Sequence, residues 1–457
     1  MRAIGFDLGS SFIKGAILDL EQRTLCHVVR LPFPKPLELG NGAFREFDPR
    51  QIVTVTRQLL QQLFALAPDA ECVLMSSQLH GLVLTDLAGN PLGNAISWQD
   101  QRALQPMSDG SGSYFEEVGR RFDPEDRRLT GNEARPGVPL CFLFWLAQNK
   151  RLPQEAAIPC SLAHFVAAQM CGEAPTSELT HAFAHGALDI SRGSWHHGII
   201  QKLGLETLRW PKLVPQESII GQWNTGTKRL PWFAPTGDYH CSQVGALLEK
   251  SELSVNISTG SAVIQLAEGC EFGDFQTRPW FDGRFLKTIT HIPGGRALNA
   301  LVRLLTELPV AQGLKLADPW DYILAQAEQV PSTVLKLNPA FYFSALGQEG
   351  SLTHIREEEL TVGALFRAAF SGMADNYETC AARLSPQRDW ARIVFSGGLA
   401  LKSELLRQLI CHRLGANHRV AATEEDVLLG LLILGLRFTG RSRSVLEAMQ
   451  QVRTTNC

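Results

Sequence analysis

Met1-Arg-Ala-Ile-Gly-Phe-Asp-Leu-Gly-Ser-Ser-Phe-Ile-Lys-Gly15 is the stretch that decides the fold. It opens with an apolar run that leads to Asp7, passes through a polar turn, and resumes an apolar run that reaches Leu20. Two apolar runs joined by a short turn with glycine predict a β-hairpin. The turn, Gly9-Ser-Ser11, offers backbone N–H groups and hydroxyls without bulky side chains, which suits the close approach of a polyphosphate.

A second copy of this pattern lies at Ser254-Val-Asn-Ile-Ser-Thr-Gly-Ser-Ala-Val-Ile-Gln-Leu266. Two strand-like runs again flank a small polar turn, here Ser258-Thr-Gly260. Because both turns suit a phosphate chain, the repeat predicts two similar domains that grip one nucleotide from opposite sides.

Composition limits the classes of protein that this chain resembles. It has 457 residues, of which 45% are hydrophobic and 19% charged, as in soluble proteins of two or three domains with large cores. The net charge is −3 and no basic block is present, so we expect neither a nucleic-acid nor an anionic-membrane partner. No apolar stretch approaches the roughly 20 residues that cross a bilayer, and no signal-peptide pattern opens the chain.

The cysteines indicate a reducing compartment. The ten cysteines are scattered singly and form no CxxC pair, which favours isolated thiols over disulfides or a zinc site. We therefore expect a cytoplasmic protein.

The chain alternates strand and helix signals, which predicts an α/β fold. A helix begins at Asp48-Pro49 and runs to Leu66. Residues 98–231 look like an elaboration over the first sheet, and a domain boundary is expected near Pro231–Pro235. In the second part, a helix is expected from Gly295 to Leu308, stopped by Pro309. Further helices are expected at Val362–Leu384, Ser403–Leu414 and Glu424–Phe438.

Two aspartates stand at positions where chemistry is plausible. Asp7 ends the first strand beside the glycine turn, where it either caps the turn or holds a Mg²⁺-bound water against phosphates. With Gly9, Ser10, Ser11 and Lys14 following, the phosphate interpretation is favoured. Asp238 precedes an apolar helical run, where it is either an N-cap or a general base facing a cleft.

Polar clusters also follow two predicted strands. Ser76-Ser-Gln-Leu-His-Gly81 places several hydrogen-bonding groups at a strand end, which is where α/β sheets bind ligands. Ser97-Trp-Gln-Asp-Gln-Arg102 surrounds a tryptophan with donors and acceptors, which suits a polyol as well as it suits a solvated helix start. Phe395-Ser-Gly-Gly-Leu-Ala400 predicts a strand that breaks at two glycines into a helix, where a ligand can approach the backbone. The GxGxxG fingerprint of dinucleotide enzymes is absent.

In this order, these segments resemble the FGGY carbohydrate kinases of the actin/hexokinase/Hsp70 superfamily, over nearly the whole chain. The matching segments are Asp7-Leu-Gly-Ser-Ser11, Ser77-Gln-Leu-His-Gly-Leu-Val83, Trp98-Gln-Asp-Gln-Arg102, Leu129-Thr-Gly-Asn132, Gly237-Asp238, Ser258-Thr-Gly260 and Ser396-Gly-Gly398. Within the family the chain looks most like the ketose kinases, the sedoheptulokinases and xylulokinases. Tyr239-His240 and Phe142 depart from the family pattern.

The resemblance implies two ribonuclease-H-like domains, residues 1–235 and 236–457, flanking a cleft that binds nucleotide and sugar. It implies that Asp238 is the catalytic base and that Asp7 and Asp238 hold Mg²⁺. The residues expected to bind ATP are Asp7, Gly9, Ser10, Ser11, Lys14, Ser258, Thr259, Gly260, Gly397 and Gly398. The residues expected to bind the sugar are Gln78, Leu79, His80, Asp100, Arg102 and Tyr239, with Asp100 and Arg102 also able to act by holding their loop.

The implied activity is transfer of the γ-phosphoryl group of ATP to the terminal primary hydroxyl of a ketose. The rival hypothesis is a sugar-independent nucleotide switch of the actin or Hsp70 kind, which would keep both phosphate loops but need no sugar base. A dehydrogenase is disfavoured because its glycine fingerprint is missing. The expected partner is a small-molecule sugar, and the sequence leaves a homodimer open.

Overall fold

The computed structural model describes residues 1–40, 42–423 and 425–455. The chain forms two α/β halves, each built on a mixed sheet, with a helical region between them in sequence. Each sheet begins with a β-hairpin, as the repeated pattern predicts. Among the described residues, no helix is long and apolar enough to cross a bilayer.

The first part of the chain holds the first hairpin and the long helix that packs on it. Its elements in chain order are β1 (Arg2–Leu8), β2 (Phe12–Asp19), β3 (Thr24–Pro32), β4 (Glu46–Phe47), α1 (Pro49–Leu66), β5 (Val73–Ser77), β6 (Val83–Thr85), β7 (Ala95–Ile96) and a 3₁₀ helix (Arg102–Leu104).

The middle part is mainly helical until it returns to the first sheet. Its elements are α2 (Tyr114–Arg121), α3 (Pro124–Leu129), α4 (Pro139–Gln148), β8 (Ile158–Cys160), α5 (Leu162–Cys171), β9 (Thr176–Ser177), α6 (Leu179–Ala182), a 3₁₀ helix (Phe183–His185), β10 (Leu188–Asp189), β11 (Ser194–Trp195), α7 (His197–Lys202), β12 (Lys212–Leu213), β13 (Ile219–Asn224), β14 (Arg229–Phe233) and β15 (Thr236–Gly237).

The last part contains the second hairpin and the C-terminal helices. Its elements are α8 (Asp238–Gly245), β16 (Glu252–Ile257), β17 (Ser261–Ala267), β18 (Gln276–Pro279), a 3₁₀ helix (Phe281–Gly283), β19 (Phe285–Ile292), α9 (Gly295–Ala311), α10 (Trp320–Gln329), β20 (Lys336–Asn338), β21 (Ser351–Thr353), a 3₁₀ helix (Glu357–Glu359), α11 (Val362–Leu384), β22 (Arg392–Ser396), α12 (Gly398–Lys402), α13 (Glu404–Leu414), β23 (Asn417–Val420), α14 (Asp426–Phe438) and α15 (Val445–Thr455).

The two sheets repeat one local arrangement. In the first sheet the strand order is β13-β14-β5-β1-β2-β3, with β15 also paired to β5, and β1 is antiparallel to β2 but parallel to β5. In the second sheet the order is β18-β19-β17-β16-β22-β23, with β16 antiparallel to β17 and parallel to β22. Each half therefore presents a hairpin turn next to the carboxyl end of a parallel strand.

A shared apolar core joins the two halves. Helices α8 and α14 pack on each other between the sheets, in one cluster that includes Leu18 and Leu74 of the first sheet and Ile264 and Val394 of the second. The two helix backbones approach so closely that a Cβ on Gly245 would lie 1.8 Å from the carbonyl oxygen of Asp426. This packing holds the beginnings of α8 and α14 at the cleft between the halves.

Two details differ from the sequence expectation. Helix α9 does not stop at Pro309 but continues to Ala311. Proline in the last turn lacks only its own N–H donor, and a donor after it still binds a preceding carbonyl, as Gln312 N–H binds Leu308 O. The end of the 98–231 region is not an elaboration over the first sheet, since β13 and β14 are strands of that sheet. Strand β15, just past residue 235, also pairs with β5.

The sequence predicts isolated cysteine thiols that form no disulfides. The described cysteines, Cys26 through Cys411, are free thiols. Cys457 lies outside the described residues.

Candidate active site

The carboxyl ends of three parallel strands of the first sheet bring the two predicted aspartates together. Asp7 on β1 is in register with Ser76 on β5, and Gly237 on β15 is in register with Ser77. Asp238 follows Gly237 and is the first residue of α8, so its helix is capped by Gly237 and not by the Asp238 side chain. Ser76 donates its hydroxyl to Oδ1 of Asp7 at 2.7 Å.

Burial and mutual repulsion disfavour the charged forms of Asp7 and Asp238. Burial raises the pKa of Asp238, and the negative charge of Asp7 raises it further. Burial also raises the pKa of Asp7, against the hydrogen bond from Ser76 and the charge of Lys14. Asp426 at the start of α14 adds a third acidic group, whose pKa burial raises to about 6. Carboxylates held this way favour a bound cation, because a positive charge relieves their repulsion.

Both hairpin turns carry exposed polar groups. The hydroxyls of Ser10, Ser11, Ser258 and Thr259 are on exposed residues. Gly9 N–H donates to Phe12 O, whereas among the described residues the N–H groups of Ser10, Ser11, Thr259 and Gly260 have no protein acceptor. Free N–H groups in a turn form an anion-binding concavity.

The second turn is anchored from behind. The N–H groups of Gly295 and Arg296, at the start of α9, donate to the carbonyl oxygens of Ser258 and Thr259 at 2.9 Å. A Cβ on Gly260 would meet no atom within 4 Å, so a side chain there would project into open space and would not strain the turn. The carbonyl oxygens of the turn are thus directed away from an anion, and its free donors remain available.

A cavity of about 560 Å³ extends from Asp238 to the second sheet. Its lining includes Asp238, Tyr239, Ser242, Gln243, Asn256, Ser258, Ser396, Gly397, Gly398, Leu401, Lys402, Ala421, Thr423, Asp426 and Val427. Gly397 has φ of +88°, and a Cβ there would lie 2.5 Å from both Ile257 O and Ser258 Oγ. Only glycine fits this position, which brings the β22 end against the second turn.

The segment predicted to contact the sugar is part of a buried ion-pair network. Gln78 and Leu79 are buried at the end of β5, and His80 has a positive φ of 65°. His80 Nε2 lies 3.2 Å from Oε1 of Glu133, and Arg278 donates to both oxygens of Glu133, at 2.7 and 3.1 Å.

The protonation states in this network follow from burial and charge. Burial is the largest single influence and raises the pKa of Glu133, but the Arg278 guanidinium, His80 and Arg135 together outweigh it and hold this pKa at about 2. Burial lowers the pKa of His80, which therefore stays neutral at pH 7. Since Glu133 belongs to the first half and Arg278 to the second, this ion pair bridges the cleft.

Asp100 and Arg102 are paired with each other inside the first half. Oδ1 of Asp100 accepts from the N–H and Nε of Arg102, at 2.9 and 2.8 Å, and Oδ2 accepts from Arg45 N–H at 2.7 Å. Arg102 also pairs with Glu46 and is 2% exposed. This arrangement uses the polar groups of both side chains to hold their loop.

The remaining predicted residues have other partners. Lys14 on β2 pairs with Glu425 at 3.2 Å, beside the start of α14. The Tyr239 ring lies 4.6 Å from the Arg278 guanidinium carbon, and its hydroxyl is 2.6 Å from Thr288 Oγ1. Tyr239 is therefore held beside Asp238 by the second half.

Sequence reasoning missed several groups at this site. Glu133 and Arg278 lie far apart in the chain, and no local pattern marks them. Asp426 was inside a helix prediction, where an acid in the first turn looks like an ordinary helix start. The Gly294-Gly295 pair before α9 could have been noticed, because it repeats the strand–Gly-Gly–helix pattern of Gly397-Gly398.

The donor set fits Mg²⁺ bound mainly through water. No group of three or more potential metal ligands converges among residues 1–40, 42–423 and 425–455. Asp7 and Asp238 would supply the carboxylate oxygens that Mg²⁺ prefers, and this ion usually keeps several waters and takes further oxygens from phosphates.

Comparison with known families decides what this arrangement belongs to. The model of the N-terminal domain of the FGGY family of carbohydrate kinases matches residues 2–232, and the model of the C-terminal domain matches residues 344–438. The chain belongs to the FGGY family of carbohydrate kinases. The matched regions contain the carboxyl ends of β1, β5 and β22, whereas β15, Asp238 and the second hairpin lie outside them.

Curated FGGY relatives include enzymes of different names. The chain is 26% identical to the xylulose kinase of Bacillus subtilis (strain 168) over 291 residues, which are 61% of this chain and 56% of that protein. It is 23% identical to the gluconokinase of Bacillus licheniformis over 475 residues, covering 96% of this chain and 88% of that protein. The chain thus spans about half the length of the B. subtilis relative and most of the second.

Solved structures share the fold of this FGGY protein. The ligand-bound xylulose kinase from Lactobacillus acidophilus superposes with a TM-score of 0.83 at 19% identity, covering 98% of this chain and 91% of that chain. The glycerol kinase from Plasmodium falciparum with ADP superposes with a TM-score of 0.83 at 15% identity, covering 99% and 92%. Together with the two family models, these neighbours confirm the two-domain fold of the actin/hexokinase/Hsp70 type.

Proposed function

We propose that this FGGY protein uses ATP and Mg²⁺ to phosphorylate the terminal primary hydroxyl of a ketose, sedoheptulose-like or xylulose-like. The observation that carries the proposal is the placement of Asp238. It lies between the Asp7 strand end, the nucleotide-sized cavity and the His80 segment, where a base would meet both substrates. The relatives named xylulose kinase support a ketose acceptor.

In this proposal each side of the cleft has a separate task. The free N–H groups of the two hairpin turns hold the phosphates, and Gly397 and Gly398 admit adenosine. Asp7 and Asp238 hold the Mg²⁺, which would neutralise charge on the phosphates when bound. Gln78 and His80 orient the acceptor sugar, with Asp100 and Arg102 holding the neighbouring loop.

The reaction step is a direct displacement. The acceptor oxygen forms a bond to the γ-phosphorus while the bond between that phosphorus and the β–γ bridging oxygen breaks, and ADP leaves. The hydroxyl proton passes to Asp238 and then to solvent. A transition state of this kind needs positioning and charge neutralisation, and closure of the halves excludes the water that would otherwise hydrolyse ATP.

A panel of acceptors scored by ADP release tests the proposal. It contains sedoheptulose, xylulose, gluconate, glycerol and an aldose, each with ATP and Mg²⁺. We expect a ketose to give the highest kcat/KM, and a deoxy-ketose lacking a contacted hydroxyl to lose most of it, because buried polar partners are then unpaired. ADP release that no acceptor changes would instead support a nucleotide switch.

One observation favours an aldonate such as gluconate as a second candidate. Nε of Arg135 is buried without a partner among the described residues. The charge of Arg135 lowers the pKa of His80 and of Glu133, which places it beside the sugar segment. A guanidinium with an unpaired N–H suits a carboxylate, and the gluconokinase relatives align over most of this chain. Arg135→Gln should abolish a preference for gluconate and leave the kcat/KM of a neutral ketose within a few-fold.

A further inference from the structure

A buried hydrogen-bond relay lies behind the proposed base. Thr180, in the short helix α6, accepts a hydrogen bond at its Oγ1 from the N–H of Gly237 at 2.9 Å. The same hydroxyl donates to Oε1 of Glu178, and Oε2 of Glu178 accepts the Thr180 N–H at 2.8 Å. Both side chains are 0% exposed, so water does not compete for these groups.

The Thr180 hydroxyl supplies a hydrogen-bond acceptor at the outer edge of β15, where no strand of the described residues pairs with it. Strand β15 pairs with β5 on one side, and β13, which covers the outer edge of β14, ends its pairing before β15 begins. The outward N–H of Gly237 would therefore be buried without an acceptor, and the Thr180 hydroxyl replaces the absent strand. The next residue in the chain is Asp238.

Steric contacts leave little freedom at this junction. A Cβ on Gly237 would lie 2.9 Å from Thr180 O, from Leu79 Cδ2 and from His240 Nδ1. The direction in which the chain enters α8, and hence the position of the Asp238 carboxylate, is set by what holds the Gly237 peptide.

We propose that Thr180 and Glu178 are positioning residues for Asp238, acting through the Gly237 N–H. This inference rests on the proposed function in so far as Asp238 is the base. Glu178 also caps α6, but capping alone needs only the Thr180 N–H bond. The Thr180 hydroxyl, shared between Glu178 and Gly237, has no role in capping, and it is the group that binds the N–H of the residue before Asp238.

The test compares Thr180→Val with Thr180→Ser, which removes or keeps the hydroxyl. Thr56→Val is the matched control, since Thr56 is 0% exposed and its hydroxyl donates to Ile52 O at 2.9 Å inside α1. We expect Thr180→Val to lower kcat by roughly 10- to 100-fold, the loss that a displaced catalytic group causes. KM for ATP and acceptor should stay within about twofold. Thr180→Ser should restore kcat, and Thr56→Val should keep it.

A second measurement does not depend on the substrate. Hydrogen–deuterium exchange at the Gly237 amide, read by fragment mass spectrometry, should be slow in the wild type and in Thr180→Ser but faster in Thr180→Val. If Thr180→Val does not fold, Glu178→Gln, which removes one of two acceptors, should show a smaller loss of kcat and faster exchange at Gly237.

Two results would overturn the proposal, and both differ from failure of the proposed function. The relay is wrong if Gly237 exchange is unchanged in the folded variants, whatever the enzyme phosphorylates. It is also wrong if kcat in Thr180→Val falls no further than in Thr56→Val. If the wild type phosphorylates no acceptor of the panel, the proposed function fails, and the exchange data alone decide whether Thr180 holds Gly237.

Discussion

The two halves of the molecule carry different chemistry at one equivalent position. Asp7 is the penultimate residue of β1 and accepts a 2.7 Å hydrogen bond from Ser76 of the parallel strand β5. Asn256 is the penultimate residue of β16 and donates a 2.9 Å hydrogen bond to Ser396 of the parallel strand β22. The geometry is repeated, but a carboxylate on one side corresponds to a neutral amide on the other.

This difference teaches how a repeated fold can divide one task. The first half gathers negative charge, since Asp7 lies near Asp238 and repels it. The second half offers neutral donors, glycines and an open cavity at the same strand ends. Under the proposed function, the first half holds the cation and the acceptor, and the second half holds the nucleotide.

The largest expected effect comes from removing the base on the charged side. Asp238→Asn keeps nearly the same shape but loses basicity, so kcat at saturating acceptor should fall roughly 10²- to 10⁴-fold. Asp426→Asn is the matched control, because it removes a second half-buried carboxylate from the same cavity and should cost far less. A near wild-type kcat in Asp238→Asn would assign the base to another residue.

Exchanging the equivalent residues Asp7 and Asn256 tests directly whether the two halves bind different ligands. Asp7→Asn makes the first half like the second and should weaken Mg²⁺ dependence, with the half-saturating Mg²⁺ concentration rising tenfold or more, about 1.4 kcal/mol. Asn256→Asp places a carboxylate beside the proposed nucleotide site and should raise KM for ATP by a similar factor through like-charge repulsion. Titrations of Mg²⁺ and ATP distinguish the two, and equal effects on both ligands would contradict the division of tasks.

Two neighbouring glycines of the second half test whether the backbone at the end of β22 requires glycine. Gly397→Ala puts a Cβ 2.5 Å from two oxygens at a φ of +88°, which should cost about 1–3 kcal/mol in stability. Gly398→Ala is the neighbouring control, since a Cβ there meets nothing within 4 Å. Thermal melts with and without ATP should show a loss of Tm only for Gly397→Ala. Equal melting of the two variants would remove the argument for a backbone requirement.

The smallest expected effect is a gain in stability on the charged side. The pKa of Asp238 is raised in the folded state, so the native protein binds a proton more tightly than the unfolded chain does. Wild-type stability should therefore fall as pH rises from about 4 toward the raised pKa. Asp238→Asn removes this penalty and should raise Tm at pH 8 by roughly 1–4 °C, with little gain at pH 4. Mg²⁺ should narrow the difference, because a bound cation stabilises the wild-type carboxylate.

Local sequence pattern predicted the elements that form the cleft. The apolar runs around Gly9-Ser-Ser11 and Ser258-Thr-Gly260 predicted both hairpins, because alternation and turn residues act over a few positions. The predicted helix from Pro49 to Leu66 is confirmed with Asp48 as its N-cap. The helix at Gly295 was predicted too short, since a proline in the last turn removes only its own N–H donor and the donors after it can still bind preceding carbonyls.

By itself, the sequence determined the order of motifs, the repeated hairpins and the family that this order resembles. Only the tertiary structure decided which distant groups meet: Glu133 with Arg278, 145 positions apart, and Thr180 with Gly237, 57 positions apart. Turns and periodic faces are encoded by neighbouring residues, whereas these contacts depend on how helices and sheets pack. A single sequence carries no local signal for such packing.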